Sequence, residues 1–174
     1  RVEWSFNNVT EQNLEPDPCH ITMKGGFKSG KVYRLTYSTT GCPVVGLGLL
    51  ATRDIASFLK YSTDVDKNPC VGGIVRNYAF GQSQSGRFLR LLLYLGLNQD
   101  EQNRLVFEGL IPHVAGGRKG EFNHRFAQPS SLSNYSANNL FPFAEQEQVN
   151  PHTGETSGLL TQLRETNCMP KVML

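Results

Sequence analysis

An apolar segment, a short run of small polar residues and a second apolar segment follow one another directly near the middle of the chain. Residues 74–80 are rich in β-branched and aromatic side chains, which predicts a strand. Residues 81–86 are all glycine, serine or glutamine, and the apolar pattern over 86–97 predicts a helix. A strand that enters a helix through so few residues must turn sharply, so this segment constrains the fold more than any other.

Predicted strands and helices alternate along the chain from residue 32 onward. We predict strands at 32–37, 74–80, 106–111 and 170–174, and helices at 43–60, 86–97 and 158–166. Pro43 is suited to the first turn of its helix, and Pro112 is expected to end the third strand. This alternation predicts an α/β fold with a mainly parallel sheet.

The chain divides by composition into four predicted parts. Residues 1–37 form a β-rich segment that we interpret as an insertion into the sheet, and residues 38–112 form the core around the sharp turn. Between 113 and 157 Gly, Asn, Ser, Gln and Pro dominate, which is typical of a long binding loop or lid. Residues 158–174 return to the core, where a last strand begins as the sequence stops.

Composition argues against several classes of protein. The chain has 17 basic and 15 acidic residues without a basic run, which argues against a nucleic-acid partner. The longest apolar stretch, residues 88–97, is interrupted by Arg90 and is far shorter than the ~20 residues of a membrane-spanning helix. The 4 cysteines form no CxxC motif, which argues against a zinc-binding or thioredoxin-like motif. We expect neither a metal ion nor a cofactor. Compartment, disulfides and oligomeric state stay open.

The sharp turn contains a candidate nucleophile, Ser83. When a nucleophile sits on a strained strand-to-helix turn, the residues two places before and after it must be small. Gly81 and Ser85 occupy those places, and Gly86 directly after them permits close packing of helix and strand. The usual pattern is G-x-S-x-G, so Ser85 is a departure from it.

In this interpretation Ser83 lies at the carboxyl edge of the sheet and at a helix N-terminus. The backbone N–H of Gln84 then points at a developing oxyanion. Ser85 is the rival nucleophile, but Arg87 stands where it would need a small residue. The structural alternative is a turn of small residues that only links a strand to a helix.

Three segments carry a resemblance to a known family. They are residues 81–90 (GQSQSGRFLR), 112–116 (PHVAG) and 122–130 (FNHRFAQPS). Together they resemble the bacterial "alpha/beta hydrolase domain" family of the α/β-hydrolase superfamily, and the similarity extends over most of the chain. The resemblance implies a partial α/β-hydrolase sheet with a lid-like insertion, and a serine hydrolase acting on a small-molecule ester whose identity it does not supply.

Such a serine needs a histidine base and an acid, and superfamily members carry them in the order Ser, acid, His. By that order the acid and the histidine would follow the last predicted strand. We therefore expect an internal fragment of a longer protein, inactive alone, with Ser83 but without its acid and histidine. His113 and His124 are candidate pocket residues or a base, and Asp100 and Glu101 are interpreted as solvated residues at a helix end. A non-catalytic binding protein on the same fold is the alternative function.

Two further patterns are given structural interpretations. Gly25, Gly30 and Lys31 imitate a phosphate-binding loop, but Val32 replaces the Ser or Thr of that motif and a strand is predicted where its helix must begin. We therefore expect a turn at 25–30. Arg53 and Asp54 lie side by side on a predicted helix, and we expect one of them to form an anchoring salt bridge.

Overall fold

The computed structural model describes the chain except at residues 1, 10–12, 34, 36, 39, 42, 43, 45, 66, 118, 121–140, 143 and 152. The chain forms two compact units, Arg1–Cys42 and Pro43–Leu174. Within the described residues, no helix is long and apolar enough to cross a bilayer.

The first unit is built on an antiparallel hairpin of β1 (Trp4–Val9) and β2 (Leu14–Met23). Phe6 pairs with Ile21 and Asn7 with Pro16, so residues 17–20 are looped out of the ladder. The β-rich character of this segment is confirmed, but its strands lie before the predicted one. The strand predicted at 32–37 is wrong, because its described residues are not in a strand.

The reason for this error is exposure. Most side chains of β1 and β2 are exposed, so the hairpin lacks the alternation of apolar and polar residues that identifies a half-buried strand. Tyr33, whose aromatic ring suggested a strand, instead stacks edge-on against Phe27 at 5.1 Å. Residues 25–30 begin with a turn at Gly25 and Gly26, both with positive φ, and no helix follows at 31–33.

The second unit contains a parallel sheet in the order β3 (Tyr78–Gln82), β4 (Gly109–His113) and β7 (Lys171–Val172). Its helices are α1 (Leu47–Tyr61), α2 (Gln84–Tyr94) and the short α3 (Thr161–Arg164). A small antiparallel pair, β5 (Gln148–Val149) and β6 (Thr156–Ser157), completes the elements. The predicted α/β class is confirmed, and so is the last predicted strand.

Helix α2 is the centre of the hydrophobic core. Leu91, Leu92 and Leu93 are consecutive and almost wholly buried, so α2 is covered on several sides rather than along one stripe. It packs on β3 and β4, where Leu110 is fully buried. Leu159 and Leu163, from the segment that carries α3, are fully buried in the same cluster.

Pro112 lies inside β4 and does not end it, contrary to prediction. The backbone N–H and C=O groups of successive residues in a strand point alternately to the two neighbouring strands. The Leu110 carbonyl accepts a hydrogen bond from Met173 N–H, so the backbone groups of Pro112, two residues on, also point toward β7. Strand β7 ends at Val172, and the N–H that proline lacks would have pointed beyond that end.

The described residues just before the centre of the predicted lid pack against α2. Gly120 N–H donates to the Arg87 carbonyl at 2.9 Å, and Lys119 Nζ lies 4.2 Å from the centre of the Tyr94 ring. Pro142 is fully buried. These flanks are therefore part of the packed unit around α2. The central part of the predicted lid lies outside the described residues.

Candidate active site

Ser83 joins β3 directly to α2 and has an unusual backbone conformation. Its φ is 55° and its ψ is −111°, which lies outside the regions that L-residues normally occupy. The residue is exposed at the carboxyl end of β3, as the interpretation of the sharp turn predicted. Strained conformations of this kind persist only where the surrounding structure imposes them, and they are concentrated at functional sites.

Two glycines make the turn possible. A Cβ added to Gly81 would overlap the carbonyl group of Ser85 and lie 2.9 Å from Gly86 N. A Cβ added to Gly86 would lie 2.8 Å from the His113 carbonyl oxygen and 2.9 Å from that of Gly81. Neither glycine has a positive φ, so close approach of backbone atoms, rather than conformational freedom, is what requires glycine here.

The backbone of Ser83 is held at both of its polar groups. Its N–H donates to the His113 carbonyl at 2.9 Å, and its carbonyl accepts from Arg87 N–H at 2.9 Å. The first bond extends the β3–β4 ladder by one residue beyond the pair Gln82–His113. Ser83 and the end of β4 are therefore fixed together at one edge of the sheet.

The hydroxyl group of Ser85 forms two hydrogen bonds with the backbone of the turn. Its Oγ accepts a hydrogen bond from Gln82 N–H at 3.0 Å and donates one to the Gln82 carbonyl at 2.8 Å. The hydroxyl of the rival candidate is therefore engaged with the backbone. Among the described contacts, the Ser83 hydroxyl has no such partner, and the N–H of the exposed Gln84 has no acceptor.

His113 reaches the same edge, but its ring is directed at a neighbouring aromatic side chain. It stacks on Phe80 with centroids 6.0 Å apart and planes at 25°. The next residue, Val114, has a φ of 45°, a strained value for a β-branched residue. The other candidate histidine, His124, lies outside the described residues.

The model of the family described as alpha/beta hydrolase domain matches residues 7–170. The chain belongs to this family. Comparisons with curated proteins and with solved structures gave no match. The resemblance carried by the segments around 81–90 and 112–116 is confirmed, and membership points to a hydrolase with a small-molecule substrate.

In this alpha/beta hydrolase domain Asp100 follows α2 and lies away from Ser83. The prediction that it is solvated is wrong, since its side chain is 4 % exposed. Burial alone would raise the pKa of Asp100. Hydrogen bonds from Ser57 Oγ at 2.5 Å, from Arg104 Nε at 2.8 Å and from the backbone N–H groups of Gln102 and Arg104 outweigh it and lower the pKa to about 2.

A cavity of about 380 Å³ lies beside this carboxylate, lined by Asp54, Ser57, Phe58, Tyr61, Ser62, Asp100, Glu101, Gln102 and Arg104. Glu101 is exposed, as predicted for a residue at a helix end. Arg53 forms a salt bridge with its neighbour Asp54 at 2.6 Å, which was not predicted. Its guanidinium also lies 3.8 Å from Glu101, in the loop after α2, and this is the anchoring salt bridge expected of one member of the pair. The carboxylate of Asp100 is fully engaged in the loop that follows α2, so its contacts assign it a structural role.

Sequence reasoning missed two buried cationic side chains, one on α2 and one packed against it. Arg90 and Lys119 are 3 % and 7 % exposed. Burial, with the neighbouring charge of Arg90, lowers the pKa of Lys119 to about 8, against an opposing effect of Glu155. Lys119 Nζ also donates to the Phe141 carbonyl. The only signal for this pair in the sequence is Arg90 itself, a charge inside a long apolar stretch.

Proposed function

We propose that this protein is a serine hydrolase of the esterase type, in which Ser83 is the nucleophile. The observation that carries the proposal is the backbone of Ser83, held at a φ of 55° between a parallel strand and the first turn of a buried helix. We interpret this turn as a nucleophile elbow, since it holds the serine hydroxyl clear of the sheet edge.

The surroundings of the hydroxyl support this chemistry. Ser83 Oγ would attack the acyl carbonyl of an ester, form an acyl-enzyme with loss of the alcohol, and be released when water attacks the acyl group. The N–H of Gln84, which has no acceptor within the described part of the chain, lies at the positive end of α2 and would stabilise the oxyanion. Gly81 and Gly86 serve this site by allowing the backbone to turn so closely.

We assign His113 to the wall of the site. Its ring stacks on Phe80, while its carbonyl, not its ring, contacts Ser83. The stacked pair presents an apolar surface beside the nucleophile, suited to an uncharged acyl or alcohol group. The proposed substrate is accordingly a small-molecule ester.

A fluorophosphonate probe tests the assignment, because it phosphonylates only an activated serine. The full-length protein should be labelled, and Ser83→Ala should lose at least 99 % of the labelling, about 2.7 kcal/mol in activation free energy. Ser62→Ala is the matched control, since Ser62 directly follows α1 and its hydroxyl accepts a hydrogen bond from the backbone N–H of Asp64. The control should be labelled like the unmodified protein.

Full labelling of Ser83→Ala would refute the role of Ser83. Absence of labelling in every form, together with no hydrolysis of a panel of aryl and alkyl esters, would favour a binding protein. His113→Gln separates a wall residue from a base. If His113 is a wall residue, His113→Gln should change the preference among esters and retain fluorophosphonate labelling. A loss of labelling as large as that of Ser83→Ala would instead make His113 the base.

A further inference from the structure

The peptide group that precedes Ser83 is held at both of its ends. Its carbonyl oxygen, that of Gln82, accepts a hydrogen bond from Ser85 Oγ at 2.8 Å. Its N–H, that of Ser83, donates to the His113 carbonyl at 2.9 Å. The Ser85 hydroxyl also accepts from Gln82 N–H at 3.0 Å, so one side chain binds both backbone groups of the residue before Ser83.

This arrangement controls the torsion angle on which the site depends. The φ of Ser83 is the rotation of the residue relative to that peptide plane, and its value of 55° is one that a serine rarely adopts. The preceding peptide is fixed by Ser85 and by β4, and the Ser83 carbonyl is fixed by Arg87 N–H, so a change of φ to a negative value would break one of these hydrogen bonds. A glycine at position 85 would be small enough for the turn but would lack this hydroxyl.

We propose that Ser85 is a positioning residue: its hydroxyl fixes the Gln82–Ser83 peptide and so holds Ser83 in its reactive conformation. This rests on the proposed role of Ser83 as the nucleophile. We do not assign the reaction to Ser85 itself, because the proton of its hydroxyl and one of its two acceptor lone pairs are used by Gln82. The departure from the usual G-x-S-x-G pattern is therefore a functional feature of this chain.

The test removes the hydroxyl with the loss of a single oxygen atom. Ser85→Ala keeps a Cβ on an exposed position of the first helical turn, and Ser85→Thr keeps the hydroxyl. Each variant of the full-length protein is measured for its phosphonylation rate at Ser83, for kcat and KM with p-nitrophenyl acetate, and for hydrogen exchange of the Gln82 amide by NMR. Ser62→Ala is again the control for loss of a hydroxyl elsewhere.

For Ser85→Ala we expect phosphonylation and kcat to fall about tenfold, about 1.4 kcal/mol in activation free energy, with KM nearly unchanged. The Gln82 amide should exchange at least tenfold faster. Ser85→Thr should restore all three values to near those of the unmodified protein.

Faster exchange with unchanged phosphonylation would overturn the positioning role, since the hydroxyl would then hold the turn without serving Ser83. Unchanged exchange would overturn the structural premise. If no form is labelled while exchange still responds, the nucleophile assignment has failed and the catalytic role of Ser85 fails with it. That pattern differs from a failure of Ser85 alone, in which the unmodified protein is labelled.

Discussion

Replacing Gly86 by alanine should destabilise the protein, although alanine is the better helix former. Gly86 lies in the first turn of α2, where the helix passes closest to the ends of β3 and β4. The new Cβ would lie 2.8 Å from the His113 carbonyl oxygen, 2.9 Å from that of Gly81 and 3.1 Å from the Ala115 Cβ. Two of these three atoms are backbone atoms of the strand ends, which cannot move aside as a flexible side chain could.

The size of the effect follows from these distances. Ordinary contacts begin near 3.4 Å, so α2 would have to withdraw from both strands by about half an ångström. Inserting a methyl group into such a packed site costs about 1–3 kcal/mol, and rigid backbone on two sides favours the upper part of that range. The higher helix propensity of alanine offsets about 0.5–1 kcal/mol of this destabilisation. We expect a net loss of about 2 kcal/mol in the free energy of unfolding.

Gly48 provides the matched control, because it lies in the first turn of α1 and a Cβ there would meet nothing within 4 Å. Gly48→Ala should stabilise the protein by about 0.5–1 kcal/mol. Urea unfolding followed by circular dichroism measures both variants. For a chain of this length the Gly86→Ala change corresponds to a fall in Tm of about 4–8 °C. Equal stabilisation by the two substitutions would refute the close packing of α2 on the strand ends.

Two further predictions concern buried charges. Asp100→Asn should lower the free energy of unfolding by about 2 kcal/mol at pH 7. Because the pKa of Asp100 is about 2 in the folded state against an ordinary 3.8, the difference between the two proteins should shrink as the pH falls from about 4 to 2. Urea unfolding across that range measures this difference, and a constant difference would contradict the prediction. The pKa of Lys119 is lowered from 10.5 to about 8, so between these pH values the folded state binds fewer protons than the unfolded state. The free energy of unfolding should therefore rise by about 3 kcal/mol as the pH increases from about 8 to 10.5. Lys119→Met should lack this rise, and a variant that kept it would show that another group is responsible.

The strand-to-helix turn could be predicted from sequence because its constraints are local. Only a few small residues separate two apolar segments, and the sterics of such a turn depend on the nearest neighbours. The structure places Gly81 and Gly86 where a Cβ would collide with backbone, for the reason anticipated. The hydrogen bonds of the Ser85 hydroxyl could not be read in the same way, since size was the only property that the pattern G-x-S-x-G specifies for that position.

Other features depended on contacts distant in the chain. The hairpin β1–β2 has most of its side chains exposed, so no buried face marked it in the sequence. Asp100 was taken for a solvated residue because its partner Ser57 lies on α1, a contact between residues far apart in the chain. Pro112 lies inside β4 next to β7, a strand from the far end of the second unit that nothing near Pro112 in the sequence indicates. These features depended on burial and on contacts that the local sequence does not show.

The end of β4 explains why two separate segments together form the site. The His113 carbonyl oxygen accepts a hydrogen bond from Ser83 N–H and is also the atom nearest to the position of a Cβ on Gly86. A displacement of β4 would therefore disturb the turn at both residues. Val114 then turns the chain at a φ of 45°, which brings the small side chain of Ala115 against Gly86. A β-branched residue keeps such a conformation only if its surroundings enforce it. The segment 112–116 therefore contacts the turn at 81–86 through the His113 carbonyl and the Ala115 side chain, and the two segments form this edge of the sheet together.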